Sequence, residues 1–481
     1  MKKLILIFLV LLGIQFSGLC QVKLIQGRTT DFQIEKQPDL DSYLVGPDYY
    51  FIFTKRNGAE FKRTLLIIDK DGNTKTAGNI EINAGVITNM NSITDIIMLG
   101  NKMYVLVENR NKETGKNTLS IHTLGNSGEV SEDGTEISSM DFKKFNNSGY
   151  WNAYVTADKQ HLSIVFQQPF EKEQPLKFQY FFMDATLKVL KSGDFNLPGE
   201  NNKTTTRCYA SDKGEIYLVR DKFEKWNPVP NVYKPLVSSE PFKVLLNEPQ
   251  KIFNYTTEVD PAGNLVLAGY YHENKTVTVG ETKAKGVWIY RSDISEVKST
   301  PFTNPTENLT SRGIVFNGNT FFLIGEQYKE ERESDVSKAG TTSFEYNYNY
   351  THKDIVVTGF ETSTLSKKFD VIMNKDWKSR NFNSDLFQSY GIINGKLAVI
   401  YNDNYTKYVA NSSYNNYKLP VLNFVTNDGL MEPTIHFEKE FHMPDYSFTL
   451  FPQLFCNKGN DEIIVLGKNQ SGLSGVIFKV K

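Results

Sequence analysis

Few side chains in this sequence stand at spacings that perform recognisable chemistry. Asp69-Lys70-Asp71-Gly72-Asn73 sets carboxylates and an amide around a glycine, as at the start of a calcium loop. It lacks the length and the closing carboxylate of an EF-hand, and turn chemistry accounts for it. His436 and His442, with Glu438 and Glu440 between them, form the only close histidine pair. Their spacing matches no zinc site, and a solvated linker strand is expected there. No Gly-x-Ser-x-Gly elbow and no glycine-rich phosphate loop occurs. Nothing in the spacing ties a serine or aspartate to His161 or His272. Carboxylate pairs that cleave glycosides can lie far apart in sequence, so that chemistry stays open. No catalytic residue, metal ligand or cofactor is assigned.

Binding chemistry is better represented. Trp226, Tyr233, Tyr270, Tyr271, Tyr328, Tyr346, Tyr348, Tyr350, Tyr401, Tyr405, Tyr408, Tyr414 and Tyr417 crowd the stretches of chain expected to be long loops. Tyrosine offers a rigid amphipathic face suited to protein or sugar surfaces. The competing reading is structural: in Tyr346-Asn347-Tyr348-Asn349-Tyr350 the alternation is itself a strand signature. Glu330 to Asp335 reads as a solvated loop tip.

The elements that position these residues repeat along the chain. A short strand, a tight Asp/Asn/Gly turn and a strongly apolar strand recur as a unit. Examples are Leu99-Gly100-Asn101-Lys102 before Met103 to Val107, Ser211 to Gly214 before Ile216 to Val219, and Asn394-Gly395 before Lys396 to Tyr401. A third strand follows each: Thr64–Asp69, Thr118–Thr123, Phe178–Asp184, Pro241–Leu246, Gly286–Asp293, Asp354–Glu361, Leu419–Asp428 and Ser474–Lys481. Such regular spacing predicts eight antiparallel meanders, with seven as the alternative count.

The second strand of each unit decides the architecture. Phe321-Phe322-Leu323-Ile324 and Ile463-Ile464-Val465-Leu466 do not alternate apolar with polar, so both faces must be covered. No stretch carries a long amphipathic helical period, so other sheets must cover them. Four-stranded sheets packed face to face around an axis satisfy this: an all-β fold, a β-propeller spanning residues 21–481 as one domain. The segment Asp260-Pro261-Ala262-Gly263-Asn264 followed by Leu265 to Gly269 resembles the blade repeat of bacterial propellers that read Asp-x-x-Gly-Asn-apolar. Leu24 to Ile34 is expected to close the ring as a fourth strand beside Val476–Val480. Cys208 and Cys456 fall on first strands of units that lie across the ring, too far apart for a disulfide.

In a meander the turns after strands one and three share one face, and those after strands two and four share the other. The first kind are tight here. After second strands the connections look long: Asp221–Glu240, Tyr271–Lys285, Gln327–Lys353 and Asn402–Lys418. Long loops on one face of a rigid scaffold commonly carry binding function. Arg110, Arg220, Tyr270, Tyr271, Glu326, Tyr328 and Tyr401 sit where second strands end on that face and are the candidate ligand-binding residues. The expected role is non-catalytic recognition of a protein or glycan. The alternative is a carbohydrate-active hydrolase or lyase at the mouth of the central channel, marked by facing carboxylates or a perturbed histidine.

Residues 1–20 read as a secretory signal peptide: Lys2 and Lys3, an apolar run from Leu4, then a small polar end at Cys20. Leu19 departs from the lipoprotein box, so cleavage before Gln21 is favoured over lipid attachment at Cys20. An exported protein in the periplasm, at the cell surface or outside the cell is expected, and its abundant Asn, Lys and Tyr resemble Bacteroidota proteins. The net charge of −1 across 481 residues creates no field to attract nucleic acid. No later segment is long and apolar enough to span a membrane as a helix. A monomer is expected.

Overall fold

The computed structural model describes residues 22–26, 39–57, 60–82, 85–86, 89–198, 206–224, 227–274, 282–294, 296–332, 348–379, 388–408, 418–437, 449–458, 462–469 and 472–480. Residues 1–20, expected to be a signal peptide, Trp226, Tyr346, Tyr414, Tyr417 and the Glu438–His442 stretch lie outside them.

Among the described residues nearly all regular structure is antiparallel sheet, wound as a β-propeller. After β1 (Val22–Gln26), blade 1 comprises β2 (Asp39–Val45), β3 (Asp48–Asn57), β4 (Glu60–Ile68) and β5 (Thr74–Ile80). Blade 2 is β7 (Asn89–Leu99), β8 (Lys102–Asn111), β9 (Lys116–Thr123) and β10 (Thr135–Asp141), with the two-residue β6 (Gly85–Val86) on β7. Blade 3 is β11 (Tyr150–Val155), β12 (His161–Gln167), β13 (Leu176–Asp184) and β14 (Val189–Leu197). Blade 4 is β15 (Thr206–Ala210), β16 (Ile216–Glu224), β17 (Asn227–Lys234) and β18 (Ser238–Lys243). Blade 5 is β19 (Lys251–Val259), β20 (Leu265–His272), β21 (Lys283–Arg291) and β22 (Val297–Glu307). Blade 6 is β23 (Leu309–Asn317), β24 (Thr320–Arg332), β25 (Tyr348–Glu361) and β26 (Lys367–Met373), with β27 (Trp377–Ser379) also on β25. Blade 7 is β28 (Gln388–Ile393), β29 (Lys396–Asn404), β30 (Lys418–Val425) and β31 (Ile435–His436).

These seven blades are each cut from contiguous chain, rather than the eight like units expected. The two chain ends together supply the sheet that completes the ring: β32 (Thr449–Lys458), β33 (Glu462–Asn469), β34 (Gly472–Val480) and then β1. Val22 stands opposite Val480 and Gln26 opposite Val476, so the N-terminal strand pairs where the sequence placed it. Neighbouring first strands approach one another from β7 through β11, β15, β19, β23, β28 and β32 to β2, and so surround the central channel. Fourth strands such as β14 and β18 lie at the exposed rim.

From blade 1 to blade 7 each interface among the described residues is an apolar sandwich. Tyr50, Ile52, Leu65 and Ile67 of blade 1 meet Ile96, Met103 and Val105 of blade 2. Leu106 and Ile121 then meet Leu162 and Ile164 of blade 3. The pattern continues to blade 7, where Leu397, Val399 and Val421 pack on Phe322, Ile324 and Val357 of blade 6. Every residue of β20 is buried, as two-sided cover requires. Burying one such Leu, Ile, Val or Phe contributes roughly 1.5–3 kcal/mol, so the ring holds through its interfaces.

The turns behave as their sequence dictates. Asp260 Oδ1 accepts from Asn264 N at 2.8 Å, and Gly263 sits at φ +96°, a left-handed conformation that disfavours side chains. Asp69 makes the same turn, accepting from Asp71 N and Asn73 N through Oδ1, with Gly72 at φ +85°. The calcium-like string is therefore an Asx turn.

Three expectations are corrected. Asp221–Glu240 is no long loop: Asp221–Glu224 and Asn227–Lys234 are paired strands, Asp221 opposite Pro230. Pro228 and Pro230 hid this third strand, because proline disfavours sheet interiors. Pro241–Leu246, read as that third strand, instead overlaps the fourth, β18. Gln327–Arg332 and Tyr348–Lys353 likewise continue the β24–β25 ladder, with Arg332 opposite Tyr348, so the Tyr/Asn alternation at Tyr348 and Tyr350 is a strand. Cys208 is a free, buried thiol on β15, and burial pushes its pKa up to about 12. Cys456 lies on β32 with its backbone opposite Ile464.

Candidate functional site

Second strands end in a shared chemical pattern. After an apolar run, β8 reaches Glu108, β12 reaches Gln167, β16 reaches Arg220, β20 reaches His272, β24 reaches Glu326 and β29 reaches Asn402 and Asp403. All are buried. Each polar group must then find partners inside the ring, which ties one face of the propeller together. Arg220 and Glu326 were singled out from sequence; Glu108, Gln167, His272, Asn402 and Asp403 were not. Their signal is legible afterwards: a polar residue closing each apolar run, as in Val105-Leu106-Val107-Glu108.

Glu326 is the most connected of them. It is wholly buried and accepts from Lys375 Nζ (2.7 Å), Arg312 Nη2 (2.7 Å) and Nε (3.1 Å), and His352 Nδ1 (3.1 Å). The Gln388 amide, with its nitrogen turned inward, donates to both carboxylate oxygens at 3.2 and 3.3 Å. These partners come from β23, β25, β28 and the segment after β26, so one carboxylate joins blade 6 to blade 7. Burial alone would raise its pKa; Lys375, the His352 hydrogen bond and Arg312 hold it well below the usual carboxylate range. Burial lowers the His352 pKa despite the bond to Glu326.

The remaining sequence candidates divide by accessibility. Tyr270 and Tyr271 are buried at blade interfaces; Gly325 leaves the space into which the Tyr270 ring fits, since a Cβ there would lie 2.1 Å from the hydroxyl. Arg220 is 2% exposed. Tyr401 is buried beneath Lys375, whose Nζ stands 5.8 Å from the ring, and accepts from Asn423 Nδ2 at 3.0 Å. Glu326, Tyr270, Tyr271, Arg220 and Tyr401 thus shape the face from within.

Arg110 and Tyr328 reach cavities on that face. Tyr328 stacks over the Arg312 guanidinium, 5.4 Å from its ring, and borders a cavity of about 240 Å³ with Lys353 and Lys378. Arg110, at the end of β8, opens onto a cleft of about 340 Å³ between blades 2 and 3. Phe145, Asn146, Tyr150, Gln168 and Phe170 share its wall. Arg110 Nη2 donates to buried Glu108 at 2.6 Å, and Asn117 Nδ2 donates to the other Glu108 oxygen at 2.8 Å.

The innermost strands carry a second cluster. Asp41 on β2 and Asp95 on β7 are both exposed and interact, with Arg63 close by. Partial desolvation by crowding neighbours, opposed by the Ile96 N–H and reinforced by Asp41, pushes the Asp95 carboxyl up to about 6 although one side of it stays open to water. Among the described residues no group of three or more His, Cys, Asp or Glu could hold a metal. His436 packs its ring on Tyr408 at 5.6 Å, and His161 stacks on Phe182 at 5.1 Å.

No family model matches the chain, and no curated protein does. Solved structures similar in overall arrangement include a phage phi92 endosialidase (10% identity, TM-score 0.37, covering 96% of this chain and 70% of that one). A member of the DUF4221 family from Bacteroides vulgatus (8%, TM-score 0.31, 87% and 99%) and the polysaccharide lyase Uly1 (9%, TM-score 0.35, 95% and 98%) are others. At these similarities they carry no argument about activity.

Proposed function

We propose that this chain is an exported, non-catalytic propeller that recognises a protein or glycan on the face where second strands end. One observation carries the reading: the described cavities at Arg110 and Tyr328 both open there, on polar and aromatic walls set by a rigid, internally bonded layer. The scaffold positions the face; its accessible side chains do the recognising. Residues 21–481 displayed against a glycan array and against envelope extracts test this. Retention of a ligand that Arg110→Ala or Tyr328→Ala weakens at least tenfold is the expected result. Failure of every ligand in both formats overturns it.

A second reading is favoured by a specific observation. Asp41 and Asp95 both lie on innermost strands, and the Asp95 carboxyl is pushed up to about 6, as the acid of a glycoside hydrolase or lyase would need to be. Release of reducing ends or unsaturated products from polysaccharides, abolished by Asp95→Asn, would establish it. For export, mass spectrometry of the mature N-terminus distinguishes a chain starting at Gln21 from one carrying lipid on Cys20.

A further inference from the structure

The geometry points to the Arg110 cleft as a binding site for an uncharged, hydroxyl-rich ligand, a neutral glycan segment; this inference rests on the face reading above and gives it a ligand class. Charge is the first argument. Among the described residues Arg110 is the one ionised side chain on the cleft wall, and Glu108 directly behind neutralises it. Lys143 and Lys144, in the same connection, do not line the cleft. An anionic ligand would meet no uncompensated cation there, whereas a neutral polyol would lose nothing by that balance.

Hydrogen-bonding capacity is the second argument. Arg110 turns Nη2 to Glu108, while its side chain stays partly exposed on the cleft wall. The exposed Asn146 amide and the half-buried Gln168 amide add donors and acceptors at the rim. Vicinal hydroxyls accept from and donate to such groups at once. Phe145, Tyr150 and Phe170 supply apolar ring faces beside them, on which the C–H face of a sugar packs.

The cleft is also preorganised, so binding costs little ordering entropy. Asn147 clamps Phe170 through both main-chain groups: Nδ2 donates to its carbonyl at 2.8 Å, and Oδ1 accepts from its N–H at 2.9 Å. Tyr150 accepts from Thr206 N at 2.9 Å, and Thr206 Oγ1 donates to Gln167 at 3.0 Å, fixing the floor from blade 4. Gly149 adopts φ +79° and passes so close to Gln167 that a Cβ would meet its carbonyl at 2.5 Å. Behind the wall, Trp151 Nε1 points at Asn117 Oδ1 (3.5 Å), the amide that also holds Glu108, which makes Trp151 a built-in reporter.

The test titrates residues 21–481 with laminarin, xylan and galactomannan as neutral probes, polygalacturonate and chondroitin sulfate as acidic ones, and poly-glutamate as a peptide. Affinity electrophoresis and tryptophan fluorescence read binding. At least one neutral polysaccharide should be retained, with affinity unchanged within twofold up to about 0.5 M salt, since no net charge is neutralised. Asn146→Ala/Gln168→Ala, whose side chains make no hydrogen bonds among the described residues, should weaken it at least tenfold while leaving the unfolding midpoint unchanged; Arg110→Met should weaken it as much, with a lower midpoint because buried Glu108 loses its charged partner. Retention of no neutral probe, or retention indifferent to these substitutions, overturns the inference. Salt-sensitive capture of an acidic polymer or poly-glutamate that Tyr328→Ala weakens would overturn it too, yet leave the broader face reading standing.

Discussion

Replacing Glu326 with glutamine tests whether one buried carboxylate clamps blade 6 to blade 7. The substitution preserves shape and removes the charge that Lys375, wholly buried, and Arg312, 22% exposed, both require. Breaking a buried pair from one side typically costs about 3–5 kcal/mol, because the remaining charge is left uncompensated. Glutamine can still accept from one or two of the donors, and the desolvation of Glu326 is relieved, so the lower end, about 3 kcal/mol, is expected. Urea unfolding followed by far-UV circular dichroism and tryptophan fluorescence measures it. Adding Lys375→Met to Glu326→Gln should restore at least half of the loss, a coupling of about 1.5 kcal/mol or more. The pH dependence supplies a second check. The folded carboxyl is held below its unfolded value, so its stability is fully present above the unfolded pKa of about 4.3 and is lost as pH falls toward the folded one. The parent should lose this contribution below about pH 4.3, and the glutamine variant should lack that component. A variant within about 0.5 kcal/mol of the parent at pH 7, with an unchanged acid limb, would refute the clamp.

Deleting residues 22–26 removes the ladder from Val22–Val480 to Gln26–Val476 and bares the edge of β34; a clearly lower urea midpoint and concentration-dependent association by light scattering are expected. Asp95→Asn should be neutral below about pH 4 and stabilising above about pH 6. The raised native pKa means the parent pays for ionisation only as pH climbs through that window. Because Asp95 is open to water, the gain should be about 1 kcal/mol rather than the full shift, measured by urea midpoints across pH. Cys208 should resist thiol reagents in the native state and react within minutes once unfolded, since burial keeps the thiolate from forming.

Much of the architecture was legible in the residues. Apolar runs such as Leu265 to Ala268 and Phe321 to Ile324, each behind an Asp/Asn/Gly turn, require sheets covered on both faces, and no long helical period offered another cover. From there a ring of meanders and a closing N-terminal strand follow, because an open edge is costly. Proline misleads where it sits inside a real strand, at Pro228 and Pro230, and Gln327–Arg332 and Tyr348–Lys353 read as loop although the β24–β25 ladder runs through them.

What a linear chain determined, then, was periodicity, turn chemistry and the polar residue closing each apolar run, all of which are local properties. Which of those polar residues meet was decided only in three dimensions. Arg312, Glu326, His352, Lys375 and Gln388 are spread over 77 positions and from two blades, yet converge on one carboxylate. Accessibility was decided there as well. Tyr270 and Tyr328 look alike as aromatics near strand ends, but a neighbouring blade covers the first while the second borders an open cavity. Spacing along a chain carries no information on which face of a sheet a neighbouring blade will cover; interface packing supplies it.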